Sequence, residues 1–238
     1  MTLYPLRDDS CLLALPMHEG EGRIFYDYSR YQHNATFYGD TLSWTDTPFG
    51  KCLYFPGTPG YYAKIGGTYE LNQKIAKTGE ITITAWINTG EDGQILYDCA
   101  CFASGPFCGL LSLDYRDGGK IHFTAGGSDC WEAETTDSFS DGLWHFVATQ
   151  GNNEIARILV DGEIKSEEPW GGDEYLYLDC SDYVFYLGWD HGSNYFSGLI
   201  CDFRIYNRFL SEDEIKALEL YYRNFEVRPS ILCPRPTL

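Results

Sequence analysis

Aromatic and polar side chains suited to binding a sugar occur together near the C-terminal end of the chain. Trp189, Asp190 and Asn194 fall within one short polar segment, and Trp170 precedes a glycine- and acid-rich stretch. Aromatic rings offer an apolar face on which a sugar ring can stack, while carboxylates and amides hydrogen-bond its hydroxyls. We therefore predict a glycan surface made of Trp170, Trp189, Asp190 and Asn194. The alternative is that these tryptophans belong to the core.

A pair of acidic residues with catalytic spacing occurs at Glu132 and Glu134. Retaining glycoside hydrolysis needs two carboxyl groups about 5 Å apart, which alternate residues on one strand face can provide. A solvated strand explains the same spacing. The sequence contains no nucleophile elbow, phosphate loop or paired-histidine metal motif. We therefore predict that the protein is not an enzyme.

The chain contains nine cysteines. Their odd number leaves at least one thiol that is free or pairs between chains. Cys11 and Cys201 lie in apolar runs, where we expect each to act as a small hydrophobic residue. The cysteines from 99 to 130 resemble a metal cluster in composition but lack Cys-x-x-Cys knuckles, so a loop disulfide between Cys101 and Cys108, or free thiols, are preferred to zinc.

The formal net charge of -18 restricts the possible partners. Nucleic-acid binding depends on Lys and Arg that neutralise phosphates, so we predict no nucleic-acid partner. We also predict no membrane insertion, because no apolar stretch reaches membrane-spanning length. Scattered Asp and Glu suit Ca²⁺, which prefers oxygen ligands. The alternative is that the charge serves only solubility.

The N-terminal residues 1–9 contain no basic segment followed by an apolar run, so we see no secretory signal in the chain. We expect the protein at an extracellular surface or in a virion that is released by lysis.

Alternating patterns and turn residues predict the elements that position these side chains. Residues 80–88, 120–125, 143–149 and 155–160 alternate apolar and polar positions, which is typical of half-buried antiparallel strands. Asp-Gly pairs separate such runs, most clearly at Asp161 in the hairpin 158–164. The hydrophobic share of 44% suffices for a buried core. We predict an all-β, two-sheet antiparallel jelly-roll sandwich.

One short C-terminal helix follows the strands. Ser211 and Glu214 form a capping box that leads into Ile215, Leu218 and Tyr222 at helical spacing. The proline-rich end cannot continue as a helix or a central strand. We therefore predict a sandwich over residues 1–222 and an extended Pro-rich tail over 223–238, which is either disordered or docks on a neighbouring subunit.

The segment 196–211, Phe-Ser-Gly-Leu-Ile-Cys-Asp-Phe-Arg-Ile-Tyr-Asn-Arg-Phe-Leu-Ser, resembles the closing signature of laminin G-like, concanavalin A-like lectin-glucanase domains. Matches at 27–35, 49–57, 83–87, 144–149 and 160–162 follow the strand order of that family, so the resemblance covers residues 10 to 220. Pro56, which stands where the family usually has a polar residue, and the unusual loop 99–108 depart from the pattern.

The resemblance implies a structural Ca²⁺ at the sandwich edge, held by Asp27, the Gly57 carbonyl and Asp202. The alternative is that Asp202 pairs with Arg204 or Arg208. Enzymes occur among related sandwiches, but the Glu-x-Asp-x-x-Glu pattern of glucanases is absent here.

We accordingly expect a non-catalytic glycan-binding or adhesion module. The alternative is a structural or decoration protein of a virion or surface assembly, in which the sandwich is a scaffold and the tail docks on neighbouring protein subunits, as a homo-oligomer for example.

Overall fold

A computed structural model of the protein describes residues 8–40, 43–99, 110–126, 130–169, 184–190 and 192–223. The strands are β1 (Cys11–Leu15), β2 (Ile24–Phe25), β3 (Ala35–Tyr38), β4 (Trp44–Thr47), β5 (Gly50–Pro56), β6 (Tyr62–Ile65), β7 (Ile81–Asn88), β8 (Gly93–Cys99), β9 (Leu110–Arg116), β10 (Lys120–Gly126), β11 (Cys130–Ser138), β12 (Trp144–Gly151), β13 (Ile155–Val160), β14 (Glu163–Pro169), β15 (Phe185–Leu187) and β16 (Ser197–Tyr206). Helix α1 (Thr68–Thr78) precedes β7, and helix α2 (Glu212–Arg223) follows β16.

The strands form two antiparallel sheets, and the predicted sandwich is confirmed. Sheet A has the order β14-β13-β12-β7-β16-β5-β4, and β1 also pairs with β16. Sheet B has the order β11-β10-β9-β8-β15-β6-β3-β2. Alternating side chains from both sheets, such as Phe55, Ile83, Phe123 and Leu187, meet in the main core between them.

A second buried cluster lies on the outer face of sheet A. Ile215 and Leu218 of α2 pack there with Trp86 of β7 and Phe146 of β12. The two described helices therefore have different roles, because α1 buries Leu71 in the main core whereas α2 covers sheet A. Neither helix places buried apolar residues on the outer face of sheet B, as far as the chain is described.

The structure corrects two details of the predicted elements. We expected one helix, but α1 is a second one. Its sequence offers few apolar residues at helical spacing beyond Leu71 and Ile75, and the helix begins after Gly67, whose backbone is left-handed. We expected β7 to be half-buried, but both of its faces are buried because α2 covers the face that carries Trp86. The helix predicted from the capping box is confirmed, and it extends to Arg223, one residue into the predicted tail.

A disulfide joins Cys52 of β5 to Cys201 of β16, with their Cα atoms 6.0 Å apart. The prediction that Cys201 acts only as a small hydrophobic residue was therefore wrong, since the antiparallel pairing of β5 and β16 places the two thiols together. Cys11 is a buried free thiol, as predicted. Cys101 and Cys108, on which the loop-disulfide and zinc alternatives depend, lie outside the described residues.

Residues 224–238 also lie outside the described part of the chain, so tail docking stays a prediction. No helix within the described ranges is long and apolar enough to cross a membrane.

Candidate functional site

Five aromatic side chains meet on the outer face of sheet B and form what we call the aromatic cluster: Tyr38, Tyr62, Tyr186, Trp189 and Tyr195. The Tyr38 and Tyr62 rings stack with centroids 5.0 Å apart. Trp189 lies 4.7 Å from Tyr62 and 5.2 Å from Tyr186. The Trp189 and Tyr195 rings are nearly parallel, at 6° and 6.1 Å. The cluster is a continuous aromatic surface and not a set of separate rings.

Strand pairing explains why these tyrosines share a face. Tyr38 of β3 lies directly opposite Tyr62 of β6, and Tyr186 of β15 lies opposite Lys64, two positions along β6. The intervening Phe37 and Ala63 point into the main core, so alternation directs the tyrosines outward. Tyr38 is 43% exposed. Solvent can therefore reach part of the aromatic cluster.

The phenol of Tyr62 remains a hydrogen-bond donor at neutral pH. Burial raises the pKa of Tyr62, and the neighbouring phenols of Tyr38 and Tyr195 raise it further. A protonated phenol beside an aromatic surface can donate to a hydroxyl or carboxylate of a ligand.

The loop beside the cluster is held by its own side chains. The Asp190 carboxylate accepts hydrogen bonds from the backbone N–H groups of Gly192 (2.6 Å) and Asn194 (3.1 Å). The indole N–H of Trp189 donates to the Gly192 carbonyl at 3.0 Å. Trp189 and Tyr195 also form a backbone bridge. The Trp189 ring is therefore fixed at the base of a tight loop before any ligand arrives.

The structure brings three of the four predicted glycan residues together. Trp189, Asp190 and Asn194 lie in this one loop, and Asn194 is exposed. Trp170 lies outside the described residues. Sequence reasoning missed Tyr38, Tyr62 and Tyr186, which come from strands distant in the chain. Their only signal was a tyrosine at an outward position of each strand.

A second group, the polar cluster of Ser112, Asp114, His122, Thr124 and Glu132, occupies the other half of the same face. His122 is only 4% exposed, and its ring lies between two carboxylates. Its Nε2 is 2.9 Å from Glu132 and its Nδ1 is 3.4 Å from Asp114. The Ser112 hydroxyl donates to Asp114 at 3.1 Å. These contacts hold polar groups in fixed positions on β9, β10 and β11.

Cross-strand pairs connect the two clusters. Tyr186 pairs with Tyr97 of β8, and Tyr97 pairs with Ser112. Ser112 then pairs with Thr124, which pairs with Glu132. Neighbouring strands are about 4.8 Å apart, so this row runs about 19 Å across the sheet from Tyr186 to Glu132. The row thus connects the partly exposed aromatic cluster to the polar cluster, in which Ser112, His122 and Thr124 are buried.

The two carboxylates of β11, Glu132 and Glu134, are poor candidates for acid catalysis. A hydrogen bond from His122 lowers the pKa of Glu132, and contacts with Arg116 lower it further. Burial raises the pKa of Glu134, but hydrogen bonds from Lys120 and Arg116 outweigh that effect and leave its pKa below the usual value. The carboxyl group that acts as general acid in a glycoside hydrolase needs a raised pKa instead. Both carboxylates are suited to accepting hydrogen bonds.

Asp27, the first predicted calcium ligand, already has hydrogen-bond partners within the protein. Its carboxylate accepts hydrogen bonds from the backbone N–H groups of Ala14 (2.9 Å), Ser29 (2.8 Å) and His33 (2.7 Å). The Ser29 hydroxyl donates to it at 2.6 Å. Asp27 is 3% exposed and connects β1 to the segment after β2.

Gly57 and Asp202 lie far from each other. Gly57 donates its N–H to the Phe196 carbonyl and lies against Ser197, at the beginning of β16. Asp202 is five residues further along that strand, about 16 Å away. Its carboxylate accepts a 2.8 Å hydrogen bond from Arg204, and both side chains are fully buried. Asp202 thus pairs with Arg204, as in the alternative, and the structural Ca²⁺ at Asp27, Gly57 and Asp202 stays a prediction.

Comparison with known proteins supports the same architecture. Residues 64–216 match the family model described as the concanavalin A-like lectin/glucanases superfamily. No curated protein matches the sequence.

Several solved structures share the fold. Domain 4 of AbnA, a GH43 extracellular arabinanase from Geobacillus stearothermophilus solved with arabinotriose, has a TM-score of 0.61 and 16% identity over 87% of this chain and 98% of that chain. The binding domain of botulinum neurotoxin DC, in complex with SialylT, has a TM-score of 0.67 and 13% identity over 92% of this chain and 52% of that chain. Trypanosoma rangeli sialidase has a TM-score of 0.61 and 18% identity over 92% of this chain and 34% of that chain. The chain thus spans about half of the neurotoxin domain and a third of the sialidase.

Proposed function

Because the chain belongs to the concanavalin A-like lectin/glucanases superfamily, we propose that it is a non-catalytic glycan-binding module whose ligand lies across the outer face of sheet B. The observation that carries the proposal is the aromatic cluster on this face. Helix α2 buries the outer face of sheet A around Trp86 and Phe146. On the outer face of sheet B the aromatic cluster stays partly exposed, with Tyr38 at 43%.

The chemistry of the face suits an oligosaccharide. The aromatic cluster supplies apolar contact for sugar C–H surfaces, and Asn194 with the Tyr62 phenol supplies hydrogen bonds beside it. The polar cluster follows in the same rows of the sheet, but its Ser112, His122 and Thr124 are buried, so the proposed contact surface is the aromatic cluster and its loop. Pre-formed sites of this kind lose little conformational entropy on binding.

The solved relatives are consistent with such a ligand. Domain 4 of AbnA was solved with arabinotriose, and the neurotoxin binding domain was solved with SialylT. At 16% and 13% identity these structures share only the fold with this chain. They support a carbohydrate as the class of ligand and leave its identity to experiment.

We further propose that the module acts outside the cell. A buried disulfide such as Cys52–Cys201 is typical of proteins in oxidising compartments. The arabinanase whose domain shares this fold is described as extracellular.

A glycan-array screen of the purified protein, with Ca²⁺ and with EDTA, tests the proposal. We expect selective binding to one class of oligosaccharide, and we expect the Tyr186→Ala variant to lose that signal. Binding that EDTA abolishes and Ca²⁺ restores would show that recognition depends on Ca²⁺. A blank array with folded protein under both conditions would contradict the glycan-binding role and favour the predicted assembly role.

A further inference from the structure

A histidine accompanies the two cysteines that join β5 to β16. One ring nitrogen of His18, the Cys52 sulfur and the Cys201 sulfur all lie within 4.8 Å of one another. The two cysteines are fully buried, while His18 is partly exposed in the segment after β1. Three side chains that carry good metal-binding atoms thus converge from three separate parts of the chain.

We propose that His18, Cys52 and Cys201 form a binding site for a thiophilic metal ion, with Zn²⁺ as the expected occupant, when the disulfide is reduced. The disulfide and the metal site are then alternative states of the same two sulfur atoms. This inference is independent of the proposed glycan-binding face, which lies on the other sheet.

The geometry allows this exchange. A tetrahedral zinc ion with Zn–S bonds of about 2.3 Å places two sulfurs about 3.8 Å apart. The Cys52 and Cys201 Cα atoms are 6.0 Å apart, so rotation of the side chains can open the sulfurs to that distance. His18 then supplies the third ligand, and water supplies the fourth.

The surroundings favour a soft ion. The cysteines share their cluster with Phe49 and Trp86, whose rings are 4.8 Å apart. The buried Asp202–Arg204 pair next to Cys201 has no net charge, so a neutral metal site suits this environment. Two thiolates and one neutral imidazole around Zn²⁺ carry no net charge. Thiolates select zinc or monovalent copper over Ca²⁺ and Mg²⁺, which prefer oxygen ligands.

A backbone carbonyl orients the histidine. His18 Nδ1 lies 3.3 Å from the carbonyl oxygen of Lys51, the residue directly before Cys52. A hydrogen bond from Nδ1 to that oxygen leaves the lone pair on Nε2, the usual arrangement for metal-binding histidines. The same strand, β5, therefore positions both a sulfur ligand and the orientation of the imidazole.

The chemistry balances with one external reductant. A phosphine passes two electrons to the Cys52–Cys201 bond and becomes a phosphine oxide, taking its oxygen from water, while the sulfurs take up two protons. Zinc binding then releases those two protons as two metal–sulfur bonds form.

The test is a titration of phosphine-reduced protein with Co²⁺, which reports thiolate ligands by a charge-transfer band in the near ultraviolet, followed by displacement with Zn²⁺. We expect one Co²⁺ per chain in the reduced protein and none at this site in the oxidised protein. His18→Ala should weaken binding at least ten-fold, and Cys52→Ala/Cys201→Ala should abolish it. Cys11→Ala and Cys101→Ser/Cys108→Ser serve as controls that retain binding.

Two results would overturn the proposal: a reduced, folded protein with no charge-transfer band, or a band that persists in Cys52→Ala/Cys201→Ala. If reduction unfolds the protein, the zinc content of protein produced and purified under reducing conditions with added Zn²⁺ replaces the titration. One zinc per chain that His18→Ala lowers supports the site, and zinc-free folded protein contradicts it.

Discussion

His145 lies between two carboxylates and so links the stability of the fold to pH. Its Nδ1 is 2.8 Å from Asp161 and its Nε2 is 3.2 Å from Asp141. The hydrogen bond with Asp161 raises the pKa of His145; burial opposes this rise and the Asp141 contact adds to it. The protonated ring is therefore favoured in the folded state. Asp161 also accepts the Phe146 N–H and so ties this site to β12.

We predict that the stabilisation by His145 is largest in mildly acidic solution. Because its folded-state pKa lies above the unfolded value of about 6.5, the contribution is fully present below about pH 6.5 and is lost as the pH rises through the folded-state pKa. Urea unfolding of wild type and His145→Gln at about pH 6 and pH 8.5 measures this. The difference in unfolding free energy should be larger at the lower pH, and equal differences would refute the prediction.

Residues close together in sequence were predictable, and residues brought together by pairing were not. Trp189, Asp190 and Asn194 could be named because one short loop contains them. Tyr38 and Tyr62 could not, because only the register of β3 against β6 places their rings together. The same limitation explains the error at Cys201, whose partner is 149 residues away.

The disulfide ties strand β5 to the central strand β16. It closes a loop with a sequence separation of 149 residues, so it strongly restricts the unfolded chain. We predict that Cys52→Ala/Cys201→Ala lowers the unfolding free energy by about 2–5 kcal/mol.

Urea denaturation without reductant measures this loss, and a phosphine reductant provides the control. The reductant should destabilise wild type more than it destabilises the double variant. Equal stability of the two proteins without reductant would show that the bond contributes nothing to the fold.

Helix α2 is predicted to stabilise sheet A without taking part in ligand binding. Ile215 is fully buried against the outer face of sheet A, so Ile215→Ala should cost about 2–5 kcal/mol of unfolding free energy. Leu220→Ala is the matched control on the same helix, because Leu220 is 45% exposed and its loss should stay within about 0.5 kcal/mol. Urea unfolding curves measure the loss of stability in both variants. A loss of glycan affinity in folded Ile215→Ala would contradict the prediction that α2 takes no part in ligand binding.

Strong periodic signals predicted the elements that form. The alternation at 81–88 and the Asp-Gly turn after β13 correspond to observed elements, and the capping box at Ser211 is formed, with the Ser211 N–H donating to Glu214 at 2.9 Å. Helix α1 was missed because its apolar face is short and most of its residues are polar. The burial of both faces of β7 depends on where α2 docks, which periodicity within β7 does not encode.

The two sheets of the molecule have different surroundings. Sheet A is buried on both faces around β7, with the disulfide and α2 on its outer side. Sheet B has core on its inner side, and its outer side carries the aromatic and polar clusters. The general architecture was accessible from the sequence through turn spacing and the resemblance in residues 196–211. The burial of the outer face of sheet A around β7 depended on the three-dimensional packing of α2.

Calorimetric titration of an array-identified oligosaccharide into Tyr62→Ala and Tyr54→Ala tests directly whether the ligand binds to sheet B. Both residues are tyrosines on outer sheet faces, but Tyr62 belongs to the aromatic cluster of sheet B whereas Tyr54, 39% exposed, lies on β5 of sheet A. We predict at least a ten-fold loss of affinity for Tyr62→Ala, about 1.4 kcal/mol, and wild-type affinity for Tyr54→Ala. Wild-type affinity in Tyr62→Ala, or a loss confined to Tyr54→Ala, would contradict a binding face on sheet B.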